Sequence, residues 1–431
     1  MTATTLVALG SIIMVVLLLG GMWIPFAIGI GGLLMLVLYE GLSSLNSLGF
    51  IVWGSLNSAT LSSVPLFILM AEVLLRSGVS GRFYDGLTKF SWVLPGGLLQ
   101  SNIAGCALFS AISGSSVATA AAIGGVSLPR AKEEGYDTSM ATGSIAAGGT
   151  LGILIPPSIP MVIYASFAEV SIAKLFAAAM VPGIVLTLMF MGYIAIRVLR
   201  NPSLAPTGRR PTSLSAYILG IVEVVPILIL IGFVLGTIYL GLATPTEAAA
   251  IGTFVSIIIA ALLGRPPLRA YVDATLSAVK VSAALLLITF SAYIFAYAVE
   301  STGLGERLTA WVVGLELNRY VFLLVLFLMY AALGCIVDSI GMIVLTVPLL
   351  IPILMAMDID LLWFGVMLVV VVELGQITPP MGINLFVVGA IAKTGIGSVM
   401  KGVMPYYFII ALFMALLTMF PALTMWLVEY V

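Results

Sequence analysis

The sequence predicts an all-α polytopic membrane protein of about ten transmembrane helices plus two re-entrant helical hairpins in inverted repeats. Three observations predict it. The first is composition. Of 431 residues, 62% are hydrophobic and 8% charged, with a mean hydropathy of +1.25, whereas a soluble domain carries charge on about a quarter of its residues. The second is the length of the uncharged runs. Residues 138–168 and 175–196 contain no Asp, Glu, Lys or Arg, and about 20 apolar residues cross a bilayer as a helix. The third is an internal repeat: residues 113–182 align with 336–405 at a constant offset of 223, without a gap. About a tenth of the positions are identical, pairing Ser116 with Ser339, Pro129 with Pro352, Leu151 with Leu374, Gly152 with Gly375, Pro156-Pro157 with Pro379-Pro380 and Pro182 with Pro405. Most of these residues bend or break helices. Doubled helix-breaking segments in so apolar a chain point to a secondary transporter whose halves meet at a substrate site.

Each element follows from charge and length. Residues 5–19 are apolar with no Lys or Arg before them, which reads as a retained helix rather than a removed signal peptide. Spans are expected near 4–20, 22–40 and 61–76, with surface-lying helices over 43–60 and 78–93. Arg76, Arg82 and Lys89, then Arg130 and Lys132, mark the cytoplasmic side, because basic residues concentrate in cytoplasmic loops. The apolar stretch 95–129 therefore begins and ends on one side and must be a hairpin, with its tip near Ser113-Gly114-Ser115-Ser116. Residues 138–167 cross outward to the turn at Glu169–Lys174, and 173–197 return. Arg197, Arg200, Arg209 and Arg210 form the strongest basic loop, and residues 200–216 are the best linker between halves. Two spans, 216–238 and 244–263, lead to Arg265 and Arg269, again inside, and 270–299 crosses out to Glu300. By the repeat offset, 318–352 is the second hairpin, with its tip near Gly334–Gly341. Residues 361–392 then cross in to Lys393, and 402–428 cross out, leaving both termini outside. The number of crossings between the hairpins is odd, so the second copy is upside down. The chain divides into scaffold helices and an interfacial helix (1–94), a first transport repeat (95–199), linker and scaffold helices (200–317) and a second transport repeat (318–431).

Several function classes are excluded or weakened. A net charge of −1 offers no basic surface for nucleic acid. Histidine is absent, which removes the commonest general base and metal ligand, and no Ser–Lys or paired-Asp constellation sits at membrane depth, so no catalytic residue is expected. Cys106 and Cys335 lie in apolar helical text and read as packing residues. An intramembrane enzyme and a purely structural scaffold are therefore the weaker readings.

The chemistry is expected at the tips and at the broken spans that follow them. The first break is read over Gly148–Pro157 and the second over Glu373–Asn384. A double proline removes two backbone donors and frees carbonyls one turn back, and in lipid such groups demand a partner. A dehydrated Na⁺ suits several carbonyl oxygens at once, while the helix N-termini beyond each break favour an anion. Asp338 is either an N-cap for the helix near Ser339 or a site residue, and Ser115 aligns with it. Glu373 is an ion or proton partner or half of a buried pair. Thr244 and Glu247 have capping-box spacing. No Lys or Arg lies in either tip or break, so neutral donors, Ser115, Ser116 and Asn384, with Asp338 as a further candidate, would have to receive a substrate.

At these residues the chain resembles the large membrane subunit of tripartite ATP-independent periplasmic (TRAP) transporters. The resemblance is carried by Pro65–Met70, Ser113–Ala118, Gly149–Ser158, Thr244–Ala249 and Thr378–Leu385, and extends over essentially the whole chain. It implies a Na⁺-driven importer of an organic acid, of the C4-dicarboxylate or sialic acid class, working in the bacterial inner membrane as an elevator. It also implies a separate small four-helix membrane subunit and a periplasmic substrate-binding protein as partners, and two or more coupling Na⁺ ions. The family's sodium sites map onto Ser110, Ser113, Gly152, Ile155 and Pro157 for one ion, and onto Gly334, Gly375, Thr378 and Met381 for another. A stand-alone Na⁺/carboxylate symporter of related hairpin architecture is the alternative.

Overall fold

In lipid a backbone can satisfy itself only as helices or a closed barrel, and among the described residues every regular element is helical. The computed structural model describes residues 3–206, 213–335, 337–380 and 382–431. Arg209 and Arg210 of the basic loop, and Met381 of the second expected ion site, lie outside the described residues. The chain opens with α1 (Ala3–Leu19), α2 (Ile24–Glu40), α3 (Leu45–Leu56), α4 (Ala59–Arg76) and the short α5 (Val79–Thr88). Next come α6 (Leu98–Ser113), α7 (Ser116–Glu133), α8 (Thr138–Leu154), α9 (Ile159–Ala168) and α10 (Ile172–Arg200). The middle holds α11 (Leu214–Tyr239), α12 (Pro245–Ile259), which runs into a π turn over Ala260–Gly264, α13 (Leu268–Ser301) and α14 (Leu304–Gly314). The last part is α15 (Arg319–Gly334), α16 (Ser339–Ala356), α17 (Leu361–Gln376), α18 (Ile383–Ala392), α19 (Ile396–Met419) and α20 (Ala422–Met425).

Among the described residues, eight helical stretches are long and apolar enough to cross a membrane. Seven of them coincide with expected spans, and the eighth, Ser339–Ala356, is an arm of the second hairpin. The remaining crossings are supplied by α1, α2 and the pair α17–α18, each made of shorter helices. The two hairpins are α6–α7, which reverses at Gly114–Ser115, and α15–α16, which reverses between Gly334 and Ser339. Gly114 takes φ +57°, a left-handed conformation that glycine adopts without Cβ penalty.

The first break is shorter than the residue pattern implied. Gly148, Gly149 and Gly152 all stay helical, and α8 ends only at Leu154. A helix in a dry interior keeps its hydrogen bonds until proline removes the donors, and here the glycines serve close approach instead. The second break likewise occupies only the residues between Gln376 and Ile383.

Repeat symmetry reaches the caps. Asp137 accepts from the Met140 N–H to start α8, and Asp360 accepts from the Trp363 N–H to start α17, both at 2.8 Å. Ser115 and Asp338 cap α7 and α16 in the same paired manner. Each such cap stabilises a helix start by about 1 kcal/mol. Thr244 and Glu247 form the full capping box at the start of α12.

The helix pair over Thr138–Ala168 is the most enclosed, with 89% of its apolar window buried, against 33% for Leu214–Tyr239. Helices α6, α7 and α19 pack around α8, α18 packs on α7, and α16 packs on α9. Elsewhere α13 runs along α2 and α4, and α12 along α4. The 78–93 stretch does not simply lie along a surface: α5 buries Val79, Phe83 and Tyr84 against α6, α7 and α11, and Lys89 pairs with Glu223 of α11 at 2.5 Å.

Candidate functional site

The first hairpin tip rests on the first break. A methyl group on Gly152 would meet the Ser115 carbonyl oxygen at 2.5 Å, so only glycine lets α8 pass this close to the tip. Beyond the break, the Ile159 N–H donates to the Gly114 carbonyl at 3.3 Å, and a methyl on Gly114 would lie 2.9 Å from the Pro157 carbonyl oxygen. Ser113, Gly152 and Pro157 are thus brought together around the tip, with Ser110 one turn back on α6 and Ile155 at the end of α8. Pro156 offers no N–H to the Gly152 carbonyl. The Ile153 carbonyl is taken by the Ser158 hydroxyl at 2.5 Å, and Ser113 Oγ is 2.6 Å from Thr119 Oγ1. The Ser110 hydroxyl donates to the Cys106 carbonyl at 2.5 Å, while its own carbonyl accepts from the Gly114 N–H.

The second assembly repeats the idea with different residues. Gly334, ending α15, faces Gly375 in α17 so closely that a methyl on either would come within 2.7 Å of the other's Cα. Thr378 Oγ1 donates to the Leu374 carbonyl at 2.5 Å, and its own carbonyl accepts from the Gly382 N–H at 2.9 Å. Tyr407 of α19 donates its hydroxyl to the Ile377 carbonyl. Of the residues expected at this site, Gly334, Gly375 and Thr378 are brought together, and Met381 is outside the described residues. Asp338 spends its carboxylate on the α16 cap, Oδ2 accepting from the Ile340 and Gly341 N–H groups at 3.1 and 3.4 Å.

The two assemblies touch. Ser116, at the first tip, donates its hydroxyl to Oε1 of Gln376, the last residue of α17, at 3.0 Å. Asn384, fully buried in α18, reaches back to the Ala146 carbonyl of α8 with Nδ2 at 3.5 Å, and its Oδ1 has no donor among the described residues. Sequence reasoning named Ser116 and Asn384 but missed Gln376, because its repeat partner is the aliphatic Ile153. Glu373, one turn before the second break, is fully buried, and neither carboxylate oxygen has a hydrogen-bond partner among the described residues. No basic partner for Glu373 is found there.

These groups define the available chemistry. Among the described residues no three His, Cys, Asp or Glu side chains gather, so a cation at either break would be held by neutral hydroxyl and carbonyl oxygens. A carbonyl oxygen has two lone pairs and can keep one hydrogen bond while offering the other. That donor set is hard and uncharged, which fits a monovalent alkali ion. A separate cavity of 1270 Å³ opens between α9, α13 and α16, with Ser166, Glu169, Tyr293, Glu300 and Glu306 in its walls. No tip or break residue lines it, so it is distinct from the two tip–break assemblies.

Comparison with known proteins gives a consistent picture. A family model described as "Tripartite ATP-independent periplasmic transporter, DctM component" matches residues 11–423. The "C4-dicarboxylate TRAP transporter large permease protein DctM" of Pseudomonas aeruginosa is 33% identical over 402 residues, covering 93% of each chain. The "Sialic acid TRAP transporter large permease protein SiaM" of Vibrio cholerae is 29% identical over 416 residues, covering 96% of each. Among solved structures, the Alcanivorax borkumensis YdaH transporter superposes with a TM-score of 0.64 at 17% identity over 89% of both chains, a likeness of fold.

Proposed function

The chain belongs to the DctM component family of tripartite ATP-independent periplasmic transporters, and from that premise we propose that it imports an organic acid driven by Na⁺. As a large permease it is a membrane-embedded secondary transporter and not an enzyme. The proposed substrate is an organic acid of the C4-dicarboxylate or sialic acid class, the classes that the relatives' names carry. It would be delivered by a periplasmic binding protein, with a small membrane subunit beside this chain in a bacterial inner membrane and both termini on the periplasmic side. The observation that carries the reading is the pair of tip–break assemblies joined by the Ser116–Gln376 hydrogen bond.

In this reading bound Na⁺ supplies positive charge beside the breaks, where no Lys or Arg stands. Ser110, Ser113, Gly152, Ile155 and Pro157 would hold one ion, and Gly334, Gly375, Thr378 and Met381 another. The tips close over the breaks because Gly152 and the Gly334–Gly375 pair allow backbone-to-backbone approach. Ser115, Ser116 and Asn384 offer neutral hydrogen-bond donors, and the N-termini of α7 and α18 add partial positive charge. The two assemblies and the helices packed on them would then move as an elevator against α2, α4, α12 and α13.

Reconstitution in liposomes with candidate binding proteins and the small subunit tests this. Accumulation of a C4-dicarboxylate or of sialic acid should require an inward Na⁺ gradient and all three proteins. Undiminished uptake by this chain alone from free substrate would favour the stand-alone symporter. Uptake indifferent to Na⁺ would remove the coupling ion.

A further inference from the structure

We propose that Gln376 is a substrate-recognising residue, whose side-chain amide donates to a carboxylate oxygen of the transported acid. The inference rests on the organic-acid reading above. Gln376 is the last residue of α17 before the second break, and only 5% of its surface is exposed. Burying a flexible amide costs free energy unless it is hydrogen-bonded. Half of this amide is accounted for, since Oε1 accepts from Ser116 Oγ at 3.0 Å. The other half is open: no described residue accepts from Nε2, and Nε2 is not one of the fully enclosed side-chain atoms left without a partner. The bond to Ser116 also restrains the amide, limiting where its two N–H donors can point.

Position decides what those donors meet. Ser116 belongs to the first tip and Gln376 to the second break, 260 residues apart, so the amide stands where the two repeats join. On the far side of the same break Asn384 is fully buried with Oδ1 unpaired. Two neutral amides thus flank one break, and the tips and breaks contain no cationic side chain. A carboxylate entering here must be received by neutral N–H and O–H groups. The Gln376 amide has both N–H donors free, whereas one of the Asn384 N–H groups already goes to the Ala146 carbonyl. A hydrogen bond from a neutral donor to a charged acceptor contributes about 1.5–3 kcal/mol. Its loss should therefore weaken acid binding about tenfold to hundredfold.

The test uses the full chain reconstituted with its small subunit, and reads thermal stabilisation by Na⁺ and then by a panel of C4-dicarboxylates and sialic acid in the presence of Na⁺. Gln376→Glu is the cleaner variant: it keeps an oxygen for Ser116 to donate to and replaces only the N–H donors. Gln376→Leu removes both. We expect both variants to need at least tenfold more acid for half-maximal stabilisation, with Gln376→Glu the more severe. Wild-type acid concentrations for half-maximal stabilisation in either folded variant would overturn the proposal and leave Gln376 a tie between repeats. If no acid stabilises the wild-type protein in Na⁺, the organic-acid reading itself falls and takes this inference with it.

Discussion

At the scale of single residues, the site is built from what side chains lack. Gly334 and Gly375 have no Cβ, and this lets α15 and α17 meet backbone to backbone, a methyl on Gly375 reaching 2.7 Å from the Gly334 Cα. Gly375→Val must push the hairpin arm away. Overpacking of this kind costs about 1–3 kcal/mol, and if the pair frames a cation site, the larger loss is in ion response. Thermal unfolding with and without Na⁺ should show a lower midpoint and a Na⁺-dependent increment shrunk by more than half. An undiminished increment would detach the Gly334–Gly375 contact from cation binding. Glycine and proline at repeated spacing were visible in the sequence because their chemistry is in the backbone. Gln376 was not, because a hydrogen bond to Ser116, 260 positions earlier, leaves no trace in local spacing. Local pattern left Asp338 open between a helix cap and a site residue, and the structure gives its carboxylate to the cap.

At the scale of elements, hairpins and broken helices were legible for a physical reason: charge placement fixes sides of the membrane, and an apolar stretch that begins and ends on one side must turn back. The lengths of the breaks were not legible. Gly148 and Gly149 read as helix-breaking text, yet α8 continues through them, because close neighbours on α6 and α7 need the space a side chain would fill. The reversal of the second hairpin carries its own reporter. Cys335 follows α15 at the tip and is half-buried, whereas Cys106 is buried inside α6. A thiol reagent small enough to enter should therefore modify Cys335 and spare Cys106. If Na⁺ binds between this tip and the second break, saturating Na⁺ should slow Cys335 modification several-fold, while K⁺ at equal ionic strength should not. Mass spectrometry of the labelled peptides reads both rates from the native sequence. Equal rates in the two salts would mean that the tip does not sense the ion.

At the scale of the whole molecule, the question is whether the helices around α8 move against those around α13. One contact between the two sets is specific. The Tyr293 hydroxyl of α13 lies 2.6 Å from Ser166 Oγ of α9, and its ring stacks on Phe167 with centroids 4.5 Å apart. These residues sit at the wall of the 1270 Å³ cavity that separates α9, α13 and α16. If transport requires α9 to travel past α13, this contact must break and reform in every cycle, and tethering it should stop the cycle. A tyrosine spans most of the gap, so cysteines placed at both positions would be too far apart for a disulfide, whose Cβ atoms must approach to about 3.5–4.5 Å. A short, cleavable bifunctional thiol reagent suits the distance better. In a Cys335→Ser background, Ser166→Cys/Tyr293→Cys joined by such a linker should lose nearly all Na⁺-driven uptake and regain it on cleavage. Each single cysteine variant, treated identically, should be unaffected by the linker. Full uptake in the tethered double variant would mean that α9 and α13 stay together throughout transport, and the moving body would have to be sought elsewhere in the fold.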